Sequence, residues 1–232
     1  PTAGGHNAPP RGPLQLTPDG QPIYGPRDVV KLESMRKIGM PFWLGGGYGS
    51  PEALRMALEE GAAGVQVGTP FALCEESGLE PEMRRALVRR ALAGEGKVFT
   101  DPLASSTGFP FKVADLEGTL SEPDVYAARR RICDLGYLRE AYRKEDGSIG
   151  YRCPSETVAA YLAKGGKEED TIGRKCICNG LFSNIGLAQV RPDGYREPAI
   201  ITLGDDLVHI GRFCSPEKPD YTAADAIRVL LG

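Results

Sequence analysis

Two stretches decide the fold: Pro41-Phe-Trp-Leu-Gly-Gly-Gly-Tyr-Gly-Ser-Pro51 and Gly61-Ala-Ala-Gly-Val-Gln-Val-Gly-Thr-Pro70. In the first, the apolar run Pro41 to Leu44 lies between Gly39 and Gly45 and predicts a short buried strand. Ser50-Pro51-Glu52 then predicts a helix start, with a capping hydroxyl, a proline in the first turn and an early acid. That helix is expected to run to about Glu60 and stop at Gly61. Gly64 to Gly68 predicts the next strand. A β–α–β unit with such short connections implies parallel strands and a right-handed crossover.

Outward from this unit the reading is uneven. Residues 1–25 form a Gly/Pro-rich loop. Asp28 to Ile38 predicts a helix, with Val29, Val30, Leu32 and Met35 at helical spacing. Further helices are expected at Pro81 to Ala93, at Pro123 to Asp134 and from Tyr221 onward, the last capped near Thr222. Residues 98–121 read as irregular. Residues 135–155 and 165–220 are rich in Gly, Pro and Cys and carry no clear period. The 232 residues include 30 Gly and 19 Pro, so turns are numerous.

Composition excludes several classes. The net charge of −3 gives no electrostatic case for nucleic acid or an anionic membrane. No apolar run approaches the roughly 20 residues of a membrane span. Six cysteines are too sparse for a disulfide-stapled scaffold. A cytoplasmic, reducing setting is therefore expected.

Both Gly-rich turns, Gly45-Gly46-Gly47-Tyr48-Gly49 and Gly68-Thr69, sit at carboxyl ends of predicted parallel strands, where α/β proteins bind ligands. Glycine lets backbone N–H groups approach a phosphate, and a helix start adds a favourable dipole. The alternative is that the glycines serve turn geometry alone. The Gly-Gly-Gly turn, the helix, Gly61-Ala-Ala-Gly-Val-Gln-Val-Gly-Thr-Pro-Phe71 and the upstream Ala3-Gly-Gly-His6 together resemble the nitronate monooxygenase family. These are FMN-dependent (β/α)₈ barrels, related to the flavin-dependent enoyl reductases of polyketide and polyunsaturated fatty-acid synthesis. The likeness covers residues 2–75 best. Phe99-Thr-Asp-Pro-Leu-Ala-Ser-Ser-Thr-Gly-Phe-Pro-Phe-Lys-Val113 resembles the segment that follows the barrel.

The resemblance implies an α/β fold: residues 1–97 as the C-terminal portion of an FMN-binding (β/α)₈ barrel, then a post-barrel, irregular, Cys-containing region over 98–232. It implies an FMN phosphate on Gly46 and Gly47 and on Gln66, Val67, Gly68 and Thr69, with His6 at the catalytic position. The small-molecule substrate would be an alkyl nitronate oxidised with O₂, or an enoyl thioester in the reductase alternative. A whole barrel needs roughly 200–250 residues, and only 69 precede Pro70. The missing partner would then be the N-terminal part of the parent barrel.

Other residues invite chemistry. Cys133, Cys153, Cys176 and Cys178 could form a zinc or iron–sulfur site, or be ordinary thiols; their spacing matches no standard motif. A metal there, in a non-catalytic interaction module, is a third reading of the chain. Cys74 is expected to be a small buried residue. His209 lies in the apolar, strand-like run Leu207 to Ile210 and is expected to be structural. Asp205-Asp206 and Glu168-Glu169 are expected in solvated turns. Arg84, Arg85, Arg89, Arg90 and the Arg129–Arg131 triplet are expected on solvated helix faces. Ser105, Ser106 and Thr107 are expected to bond their own backbone or to meet a cofactor.

Overall fold

The computed structural model describes residues 8–232. The chain is α/β. Its elements, in order, are α1 (Leu32–Arg36), β1 (Trp43–Gly45), α2 (Pro51–Glu59), β2 (Gly64–Gln66), α3 (Thr69–Ala72), α4 (Pro81–Leu92), β3 (Val98–Asp101), β4 (Phe111–Ala114), α5 (Pro123–Ala128), β5 (Glu140–Arg143), β6 (Ile149–Arg152), α6 (Val158–Leu162), α7 (Ile177–Ser183) and α8 (Ala223–Leu231). Short 3₁₀ helices cover Pro26–Asp28, Glu168–Thr171 and Asp205–Arg212. Among the described residues the strands form three separate two-stranded sheets, and no barrel closes. No helix among them is long and apolar enough to cross a membrane.

The predicted β–α–β unit is present. β1 and β2 pair in parallel, Leu44 opposite Val65. Phe42, Leu44, Ala57 and Ala62 close a small core beneath α2. The strand is not buried on both faces, because Trp43 points the other way and is 61% exposed. Its indole lies over Gly64, where an added Cβ would sit 3.0 Å from the ring. The helix expected at Asp28 to Ile38 is shorter: Val29 adopts extended backbone after the 3₁₀ turn, and only α1 remains. Val29 and Val30 are exposed, so no buried face rewards a longer helix.

The main core mixes residues from both sides of position 97. Leu73, Leu87, Val88 and Ala91 pack with Ala114, Ile201, Leu203, Leu207, Ile210, Tyr221 and Ala226. A second core of Ala104, Phe111, Val113, Leu120, Ile177 and Ile200 lies alongside. α8 begins as expected. Thr222 Oγ1 accepts from the Asp225 N–H at 3.1 Å, and the Asp225 carboxylate accepts from the Thr222 N–H at 3.0 Å.

Several expectations need correction. Residues 98–121 contain an antiparallel pair, β3 with β4, Thr100 opposite Lys112. Lys112 is buried within β4, which breaks the apolar pattern that would have marked a strand. Residues 135–155 contain the β5–β6 hairpin. The helix expected at Pro123 to Asp134 ends at Ala128, because Arg129 turns extended and inward. The Leu207–Ile210 run is 3₁₀ helix, not strand: Leu207 and Ile210 face the core and His209 faces solvent.

Candidate functional site

The two Gly-rich turns meet at the carboxyl ends of β1 and β2. Gly46 and Gly47 have φ of +87° and +82°, the left-handed region that an L side chain adopts only with strain. Among the described residues, no backbone carbonyl takes the N–H of Gly46, Gly47 or Gly68. Ser50 Oγ accepts from the Ala53 N–H at 3.1 Å and starts α2 immediately after the turn. Gln66 lays its side chain across Gly45, Val67 is half-buried, and Gly68 is exposed with open space beside its Cα. These donors and the start of a nine-residue helix suit an anionic group, and a flavin phosphate fits that donor set. His6 lies outside the described residues.

Thr69 behaves differently from its neighbours. Its side chain is buried, and its hydroxyl oxygen accepts from the Gly204 N–H at 2.8 Å. That hydroxyl fastens the segment after residue 98 to the turn. The same segment makes further contacts here. Tyr221 OH donates to the Pro70 carbonyl at 2.6 Å, and Arg212 Nη1 donates to the Gly49 carbonyl at 3.4 Å. Gly49 is required by close approach: a Cβ there would fall 2.7 Å from Asp206 Oδ2. Asp206 and Arg212 therefore flank the Gly-rich turn with opposite charges. Their 150-residue and longer separation in sequence left no local signal.

The remaining candidates find definite partners. Asp205 does not sit in a free turn; its carboxylate meets Lys112 Nζ at 2.8 Å, and that ammonium also donates to Thr100 Oγ1 at 2.6 Å. Glu168 and Glu169 are exposed in a 3₁₀ turn, as expected. Arg84 is not on a solvated face. It is buried in the stripe that carries Leu87, Val88 and Ala91, and pairs with Asp220 at 2.8 Å. The Arg129–Arg131 triplet divides three ways. Arg129 is fully buried against Glu197, with Nε at 2.9 Å. Arg130 pairs with Asp193 and lies over Tyr195 at 4.9 Å. Arg131 lies over Tyr126 at 5.3 Å. Ser105 and Thr107 bond each other at 2.7 Å, and Ser106 bonds Ser155 at 2.6 Å.

All six thiols are free. Cys74 is buried, as expected, and donates to the Phe71 carbonyl at 3.1 Å. Burial pushes the Cys176 thiol up, against the pull of Arg129 and the Asn179 N–H. Burial and the neighbouring Cys176 push Cys178 up to about 11. As the side chains stand, no three His, Cys, Asp or Glu groups among the described residues form a ready ligand set for a metal ion.

No family model matches the chain, and no curated protein matches it.

Proposed function

We propose that the chain supplies the carboxyl-terminal strands of a flavin-dependent (β/α)₈ oxidoreductase, with oxidation of an alkyl nitronate by O₂ as its reaction. The observation that carries this reading is the parallel β1–α2–β2 unit with two Gly-rich turns at its carboxyl end and unpaired N–H groups at Gly46, Gly47 and Gly68. A two-stranded parallel sheet is a poor final state, since parallel strands are normally covered on both faces. The exposed Trp43 face agrees with further strands completing it.

On this reading Gly46, Gly47 and the Gln66–Thr69 turn hold the FMN phosphate by backbone donors, the helix start at Ser50 adding its dipole. FMN, when bound, supplies the electron transfer with nitronate and O₂. His6, assigned from the resemblance, hydrogen-bonds or exchanges a proton with the substrate near neutral pH. Asp206 and Arg212 set the field beside the phosphate turn, and Arg212 fixes the Gly49 carbonyl.

The test is the visible spectrum of the natively purified protein that carries this chain, before and after anaerobic addition of an alkyl nitronate. A flavin band that bleaches supports the proposal. A flavin band that bleaches only with NADPH moves the reaction to enoyl reduction. No flavin band, even after reconstitution with FMN, removes the cofactor and leaves the glycines as turn formers.

A further inference from the structure

A cavity of about 490 Å³ lies outside the Gly-rich site. Its walls come from the loop of residues 16–22, the end of β3, α5 and the segment leading into α7. Within the loop, Leu16 and Pro22 pair as an antiparallel bridge. One long-range hydrogen bond fastens the loop to β3: the Thr100 N–H donates to Gln21 Oε1 at 2.9 Å. Gly20 turns the loop at φ +89°, and a Cβ there would stand 3.9 Å from the Phe99 ring. Leu16, Phe99, Leu103 and Tyr126 give the cavity an apolar wall. The first three are exposed, so this wall is open to a ligand.

Cations outnumber acids on this cavity. Arg131, Arg174 and Lys175 line it, and Asp101 is the one carboxylate among its described lining residues. Arg131 meets no carboxylate or carbonyl among the described residues; its contact is the Tyr126 ring, at 5.3 Å. Arg174 spends Nε and Nη1 on the carbonyls of Asp170, Leu103 and Ser105, at 3.3, 2.8 and 2.6 Å. Those bonds fix the guanidinium without neutralising it. Lys175 Nζ stands over the same ring at 5.5 Å, donates to the Leu120 carbonyl at 3.4 Å and lies 3.9 Å from Asp101 Oδ2. Burial pushes the Lys175 ammonium down, and Asp101 offsets this only in part. Tyr126 OH donates to the Arg174 carbonyl at 2.6 Å and so ties α5 to the segment that carries two of the cations. Arg129, a further cation at that ring, is neutralised by Glu197. The lining therefore holds three positive charges against one negative.

We propose that this cavity binds an organic phosphate monoester, its phosphate among Arg131, Arg174 and Lys175 and its apolar group against Leu16, Phe99 and Leu103. A phosphate monoester carries nearly two negative charges at neutral pH, which matches the excess of two on the lining. Guanidinium forks suit phosphate oxygens, and the ammonium adds a point charge. A carboxylate would leave one cation unmatched. Inorganic phosphate would leave the apolar wall in water. A cavity of this volume falls within the usual range for small-molecule sites. No covalent bond forms or breaks. The inference does not rest on flavin binding, since none of these residues lies in the Gly-rich turns.

The test is isothermal titration calorimetry of the full chain at pH 7.5 with phenyl phosphate, inorganic phosphate and benzoate as probes. The expected result is saturable binding of phenyl phosphate, about tenfold or more tighter than either other probe. Arg131→Ala removes a cation, and Leu16→Glu sets a carboxylate on the apolar wall. Each should weaken phenyl phosphate about tenfold. Neither position is buried, so both variants should melt within about 2 °C of the parent. The comparison of probes on the parent stands even if a variant fails to fold. Absence of saturable phenyl phosphate binding, or inorganic phosphate or benzoate binding as tightly, would overturn the assignment. Affinity unchanged in either variant overturns it as well, and a loss confined to Gly46→Ala places the phosphate in the Gly-rich turn instead.

Discussion

Replacing Glu197 by Leu tests the buried charge that holds α5 to the stretch before Ile200. Arg129 and Glu197 are 0% and 1% exposed at their side chains and are joined through both Nε and Nη2. Leu fills similar space but leaves the guanidinium buried with no carboxylate. It also removes the acceptor of Tyr195 OH, now at 3.1 Å from Glu197 Oε2. Breaking a buried pair from one side costs roughly 3–5 kcal/mol, because a charge remains without compensation. For a chain of this size each kcal/mol lowers Tm by about 2–4 °C, so E197L should melt roughly 6–20 °C below the parent. The double variant R129M/E197L removes both charges and should recover more than half of that loss. Thermal unfolding followed by circular dichroism reads both. If E197L melts within about 2 °C of the parent, or the double variant is less stable than E197L, the ion pair is not what anchors Arg129.

Three further outcomes are expected. Leu207→Ala removes a fully buried side chain from the main core and should cost about 2–5 kcal/mol in denaturant unfolding; a loss under about 1 would mean the 3₁₀ helix is not docked there. Gly46→Ala and Gly47→Ala force side chains into left-handed backbone, a strain of about 1–2 kcal/mol each, and should weaken FMN binding about tenfold or more in a fluorescence titration, while Gly25→Ala, at a negative φ with open space, should not. Cys178 should alkylate slowly at pH 8, where a thiol with pKa about 11 is only about 0.1% thiolate, and its rate should climb about tenfold per pH unit. Peptide mass spectrometry follows the site, and a plateau below pH 9 would contradict the burial that raises it.

Several elements were legible because local chemistry specified them. Ser50-Pro51-Glu52 started α2 and Thr222 started α8 at the expected residues, since a capping hydroxyl answers orphan N–H groups within one turn. The β5–β6 hairpin was missed, although a local signal for it lay in Asp146-Gly147. Gly147 has φ of +82°, and the Asp146 carboxylate accepts from the Ser148 N–H at 2.9 Å. Arg84 carried a quieter signal: it stands three and four residues before Leu87 and Val88, on their stripe, and a charge there must find a buried partner.

By itself the sequence determined the β1–α2–β2 unit, its parallel sense and the placing of glycines at the strand ends, because short connections, caps and left-handed turns are local constraints. Tertiary structure alone decided which residues stand around that site. Asp206 against Gly49, Gly204 on Thr69 and Tyr221 on Pro70 join positions more than 130 residues apart. It also decided the fate of the charges. Arg84, Lys112 and Arg129 look like solvated cations in one dimension, and each is buried because a distant carboxylate on Asp220, Asp205 or Glu197 meets it. The docking of α7 has the same origin: Asn179 on the Ile132 carbonyl and Ser155 on the Lys175 carbonyl tie it to the segment after α5 and to the end of the β5–β6 hairpin, contacts that no spacing in the sequence announces.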